Sequence, residues 1–130
     1  MTFHAFESVA HRIDAAEAER EAAILANRIK NKIPNSGSEE SLRRVIASLQ
    51  NGNVDFTQFI DSLAARLQLG FAVVFEELAA KGAVEALAFR GVGPLGGDVY
   101  DVKFENENTE WRIGLAPDGK IRFLFWRSTP

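Results

Sequence analysis

Asp98 and Tyr100 stand two residues apart in Asp98-Val99-Tyr100-Asp101. On a strand that spacing puts both side chains on one face and Asp101 on the other. A carboxylate beside a phenol suits proton abstraction next to a carbonyl, with the carboxylate as base and the phenol donating to the developing enolate. Tyr100 is the only tyrosine of the chain, so donors of this kind are scarce. Asp98 also follows Gly97 at a strand start, where a carboxylate more often accepts from backbone amides. His4 and His11 lie about two helical turns apart, but two imidazoles do not define a zinc site, and surface or packing roles are the commoner outcome. The run Gly91-Val92-Gly93-Pro94-Leu95-Gly96-Gly97 is glycine-rich, yet it joins two strands and has no helix N-terminus to hold phosphate. Ser8, Ser41, Ser48 and Ser62 have no strand-turn-helix elbow around them, so no nucleophile is indicated.

The elements that position these residues belong to a chain of ordinary globular make-up. It has 130 residues, 46% of them hydrophobic and 25% charged, a length that favours one domain over 1–130, helical over 5–82 and sheet over 83–128. With 15 Lys and Arg against 18 Asp and Glu, the net charge of −3 offers no electrostatic footprint for a polyphosphate, so nucleic acid is excluded as a partner. Cysteine is absent, which removes disulfides, thiol nucleophiles and thiolate metal sites; no cofactor or metal is expected. No apolar run approaches the roughly 20 residues of a membrane span, and the first residues lack a basic start followed by an apolar block. The expected compartment is cytoplasmic, with no membrane partner.

Helical periodicity runs from about Phe6 to Lys32, where Phe6, Val9, Ile13, Ala16, Ala23, Leu25 and Ile29 recur about once per turn, and Pro34 ends the pattern. Glu17, Glu19, Arg20, Glu21, Arg28 and Lys30 form its polar side, so the stripe must pack on something, most simply the domain's own core. Ser36 and Glu39 fit a capping box for a second helix that buries Leu42, Val45, Ile46 and Leu49 and stops at Asn51-Gly52. Asp55 or Thr57 caps a third, with Phe56, Phe59, Ile60, Leu63 and Leu67 on one side and a break at Gly70. Phe71, Val74, Phe75 and Leu78 then predict a further helix up to Gly82.

From Ala83 the period changes to two. Four strands are predicted, over Val84–Gly91, Asp98–Glu105, the run around Trp111, and the run around Phe123. Short turns at 91–97, 106–108 and 117–119 make them antiparallel. Strict alternation puts Leu87, Phe89, Tyr100, Val102, Phe104, Trp111, Ile113, Leu115, Ile121, Phe123 and Phe125 on a face that the helices cover. The opposite face carries Arg90, Asp101, Lys103, Glu110, Arg112 and Arg122, able to pair across strands, together with Val99, Leu124 and Trp126. The expected fold class is α+β, with N-terminal helices packed against a curved four-stranded antiparallel sheet.

Four motifs carry a resemblance: Phe89-Arg90-Gly91-Val92-Gly93, Gly97-Asp98-Val99-Tyr100, Glu110-Trp111-Arg112-Ile113 and Pro117-Asp118-Gly119-Lys120. With the segment SEESLRRVIASLQNG they make residues 36–127 resemble an uncharacterised bacterial domain of the cystatin-like α+β superfamily. That superfamily includes nuclear-transport-factor-like, ketosteroid-isomerase-like and polyketide-cyclase-like proteins. The resemblance implies a cone-shaped sheet, often open at one end as an apolar pocket, in a domain found alone or appended to serine hydrolases and commonly without an assigned activity.

Two functional expectations follow. In the first, the protein is a non-catalytic small-ligand-binding or assembly module acting as a homodimer. A small apolar ligand would meet Phe89, Tyr100, Phe104, Trp111 and Phe123 inside the cone. The dimer would form through Val99, Arg112, Leu124 and Trp126 on the outer face, with Trp126 as anchor. In the alternative, it is an isomerase- or cyclase-like enzyme acting on a small apolar substrate through Asp98 and Tyr100. A separately encoded partner is suggested by family context alone.

Overall fold

An Ala- and Glu-rich stretch with no interior Gly or Pro is intrinsically helical. It forms helix α1, Thr2–Asn31. The structure, a computed structural model, describes residues 2–130, with side chains described from residue 15 onward. Helix α1 ends before Pro34, with Lys32 in the left-handed conformation and the Ile33 amide donating to the Arg28 carbonyl. The expected core stripe does not form along its described length. Ala16, Ala23 and Ile29 are exposed, and only Leu25 and Arg28 are half-buried.

Helix α2, Ser38–Asn51, buries Leu42, Val45, Ile46 and Leu49. Its start differs from a Ser36 capping box: Gly37 is the N-cap with no side-chain cap, and Ser38 turns inward to Tyr100. Gly52 ends the helix at φ 78°, a left-handed conformation that glycine enters without a Cβ clash. Asp55 caps only a 3-10 turn, Phe56–Gln58, by accepting from the Thr57 amide. Helix α3 then runs unbroken over Asp61–Lys81, through Gly70. A helical glycine costs about 1 kcal/mol against alanine, but Leu67, Phe71, Val74 and Leu78 continue one stripe across it into the core. The Gln50 side-chain amide donates to the Leu78 and Gly82 carbonyls and so ties α2 to the end of α3.

The strands are β1 (Val84–Val92), β2 (Asp98–Phe104), β3 (Asn108–Leu115) and β4 (Ile121–Thr129). They form one open antiparallel sheet in the order β1-β2-β3-β4, giving the α+β class, with β1 and β4 at its edges and the Ile60 amide donating to the Ile121 carbonyl at the start of β4. Helices α2 and α3 cover the face bearing Tyr100, Val102, Phe104, Trp111 and Ile113, all at most 1% exposed. Trp111 donates from its indole nitrogen to Thr109 Oγ1, which donates to the Val102 carbonyl, so the polar edge of the largest core residue is satisfied.

Strict alternation fails in β4. Ile121 pairs with Leu115 and Phe123 with Gly114, leaving Arg122 as an extra residue in a bulge. Beyond it the phase inverts. Leu124 and Trp126 turn toward the helices, while Phe123 and Phe125 turn outward. Trp126 stacks on Trp111 at 4.7 Å between ring centroids and donates to Glu77 Oε1 of α3 at 2.9 Å. The expectation of Leu124 and Trp126 on the outer face is therefore corrected, as is that of Phe123 and Phe125 on the inner one. Phe123 lies across Gly114, where a Cβ would collide with its ring. Similar bulges in β1 set Glu85 and Arg90 out of register.

Candidate functional site

Asp98 and Tyr100 share the inner face, as their spacing requires, but each is committed to a structural bond. Asp98 is fully buried; its Oδ1 accepts from Arg28 Nη2 at 2.5 Å and its Oδ2 from the Asn35 amide at 2.8 Å. Arg28 also donates to the Ile33 and Gly96 carbonyls, so the carboxylate fastens the last turn of α1 to the β1–β2 loop. Tyr100 shares a 2.6 Å hydrogen bond with Ser38 Oγ and meets the Phe89 ring edge at 5.5 Å between centroids. Burial raises the Tyr100 hydroxyl above the usual phenol range. A general base must reach its substrate, and Asp98, 0% exposed and held on both oxygens by Arg28 and Asn35, faces no space a substrate could enter. Asp101, on the other face, pairs with Arg90 at 3.4 Å.

The five residues expected to line a pocket fill space instead. Tyr100, Phe104 and Trp111 are core, Phe89 is half-buried against them, and Phe123 is on the far side of the sheet. An open cleft of about 710 Å³ lies elsewhere, between the C-terminal half of α1 and the turns joining β1 to β2 and β3 to β4. None of those five residues lines it.

The outer face is organised around Glu110, a carboxylate only 6% exposed. Arg127 and Arg90 reach its Oε2 at 3.3 and 3.4 Å, and Arg112 reaches its Oε1 at 3.4 Å. The hydrogen bond from Arg127 is the main reason its carboxyl sits below the usual glutamate range, against the opposing effect of burial. Lys103 pairs with Glu85 at 3.7 Å on the same face. The cross-strand pairing expected there is present except at Arg122, which meets no carboxylate among the described residues. Beside Arg112, its register partner Phe125 is 61% exposed and leans on Phe123 at 5.7 Å between centroids. Of the four residues expected at a dimer interface, Val99 and Arg112 lie on this face, whereas Leu124 and Trp126 do not.

Alternation could not reveal Phe125. From Phe123 to Trp126 both phases are apolar, so over these residues a one-residue slip costs little in pattern. The available signal was Arg112 opposite β4, which favours an outward aromatic over a buried one.

Ser48 donates to the Val45 carbonyl within α2. His4, His11 and Ser8 fall outside the described side chains. Among the described residues no group of three or more His, Asp or Glu is placed to hold a metal ion, and no helix is long and apolar enough to cross a membrane. Comparison with protein-family models, with curated proteins and with solved structures finds no match.

Proposed function

We propose that this protein is a non-catalytic assembly module that acts as a homodimer through the outer face of its sheet. The observation that carries this reading is Phe125: a large aromatic, 61% exposed, next to Arg112 and Phe123. Aromatic and arginine side chains are the types that concentrate binding energy at the centre of protein interfaces. The surrounding face carries both signs of charge, with Arg90, Arg112 and Arg127 beside Asp101 and Glu110, so it can oppose a two-fold copy of itself without like charges meeting. The engagement of Asp98 and Tyr100 in buried bonds supports a non-catalytic role over isomerase-like chemistry. Sedimentation equilibrium tests the reading: the expected species has twice the 14.4 kDa chain mass, and a monomer at every concentration up to the millimolar range contradicts it.

A further inference from the structure

The cleft under α1 has a composition that the dimer does not use. Its apolar walls include Leu25, Leu115 and Pro117, and they continue into Leu95 at 80% exposure and Ile24 at 60%. Ala18 and Ala22, one turn apart on the helix face turned to the loops, keep the space open because neither side chain reaches across it. At its base, Gly96 leaves a niche. The position its Cβ would occupy is 3.6 Å from Arg122 Nη2, 3.6 Å from Leu25 Cδ1 and 4.0 Å from Arg28 Nη1.

The two guanidinium groups differ. Arg28 is matched by Asp98 behind it, whereas Arg122 has no carboxylate within salt-bridge distance among the described residues. Its contacts are a 3.4 Å donation to the Leu95 carbonyl and the Phe123 ring at 5.2 Å. An unmatched cation at the foot of an apolar wall fits an anionic head with a hydrocarbon tail. Glu21 also lines the cleft, but seven residues up α1 it stands about 10 Å along the axis from Arg28. It therefore repels a carboxylate from the outer end and orients it toward Gly96.

We infer that this cleft binds a small amphipathic carboxylate, with its head in the Gly96 niche against Arg122 and its chain between α1 and the two turns. The volume of about 710 Å³ lies within the range of small-molecule sites. The inference does not rest on the dimer: the cleft adjoins the outer sheet face only where Arg122 meets the Phe123 ring, and Phe125 does not line it.

Titration of the full chain with octanoate and, in parallel, with 1-octanol, followed by amide chemical shifts and calorimetry, tests it. Saturable octanoate shifts are expected at Leu95, Gly96 and Leu115. Octanoate should bind more tightly than octanol. Arg122→Gln should weaken octanoate about tenfold and leave octanol unchanged, because only the charged head loses its partner. Ala22→Trp, at an exposed helix position, should block both ligands without moving the thermal midpoint. Absence of saturable octanoate binding, equal affinity for acid and alcohol, shifts elsewhere on the surface, or an Arg122→Gln protein with unchanged octanoate affinity would each overturn the assignment.

Discussion

The two faces of the sheet use the same strands in opposite ways. On the inner face, Tyr100, Val102, Phe104, Trp111 and Ile113 are held by packing, and each buried polar atom has one dedicated partner, Ser38 for Tyr100 and Thr109 for Trp111. On the outer face, one enclosed carboxylate, Glu110, is shared by three arginines, and the large apolar side chain beside them, Phe125, is left in the open. The inner face thus has few ways to lose a group and stay folded. The outer face has several redundant charges and an aromatic that touches Phe123 and is otherwise largely exposed, the observation on which the proposed contact with a second copy rests.

That contrast predicts substitutions that unfold the protein on one side of the sheet and only disassemble it on the other. The largest effect is expected for Trp111→Ala, which empties the best-packed site and should cost about 4 kcal/mol in urea denaturation. Phe125→Ala should stay within about 0.5 kcal/mol when measured on the monomer. A comparable loss at both positions would erase the distinction.

Asp98→Ala comes next. It leaves Arg28 beside a buried, unmatched site and should cost about 3 kcal/mol, with the amides of the last turn of α1 exchanging fastest. Intact protection there would mean that α1 is held by something other than this pair.

Tyr100→Phe strands Ser38 Oγ and should cost about 1–2 kcal/mol at neutral pH. Because burial raises the Tyr100 pKa above its unfolded value of about 10, its neutral form contributes stability below that pH, and the contribution is lost as pH rises through the folded value. The phenylalanine variant should therefore show a flatter alkaline limb in a pH series of melts.

Glu110 has a smaller expected effect than Tyr100 and the opposite pH dependence. Arg127 lowers its pKa, so its contribution is present above the unfolded value of about 4.3 and declines as pH falls through the folded one. Glu110→Gln should flatten the acid limb while costing less than about 1 kcal/mol at pH 7, since all three arginines keep access to water.

Much of this architecture is legible in the sequence where one local signal dominates. The helix stops at Gly52 and Gly82 and the spacing of the hairpin turns follow from chain chemistry within a few residues. Gly70 misleads because its propensity is a small term beside the stripe Leu67, Phe71, Val74 and Leu78 that packs across it. The β4 phase is unreadable because apolar residues occupy both faces and a bulge at Arg122 decides between them. The role of Asp98 is hidden for a different reason: its partner Arg28 is 70 positions away, on a helix whose periodicity predicts core packing but whose described side chains are mostly exposed. Spacing within β2 placed Asp98 and Tyr100 on one face; only the tertiary contacts reveal that both are already occupied.

If the outer face joins two copies, Phe125→Asp buries a charge at the centre of the contact and breaks it. Sedimentation velocity and a thermal melt on the variant and the wild type, at matched concentration, give the answer together. A dimeric wild type and a monomeric variant are expected. After allowance for the stability that association itself contributes, the two should share one monomer melting midpoint. A variant that remains dimeric would place the interface elsewhere and contradict the claim.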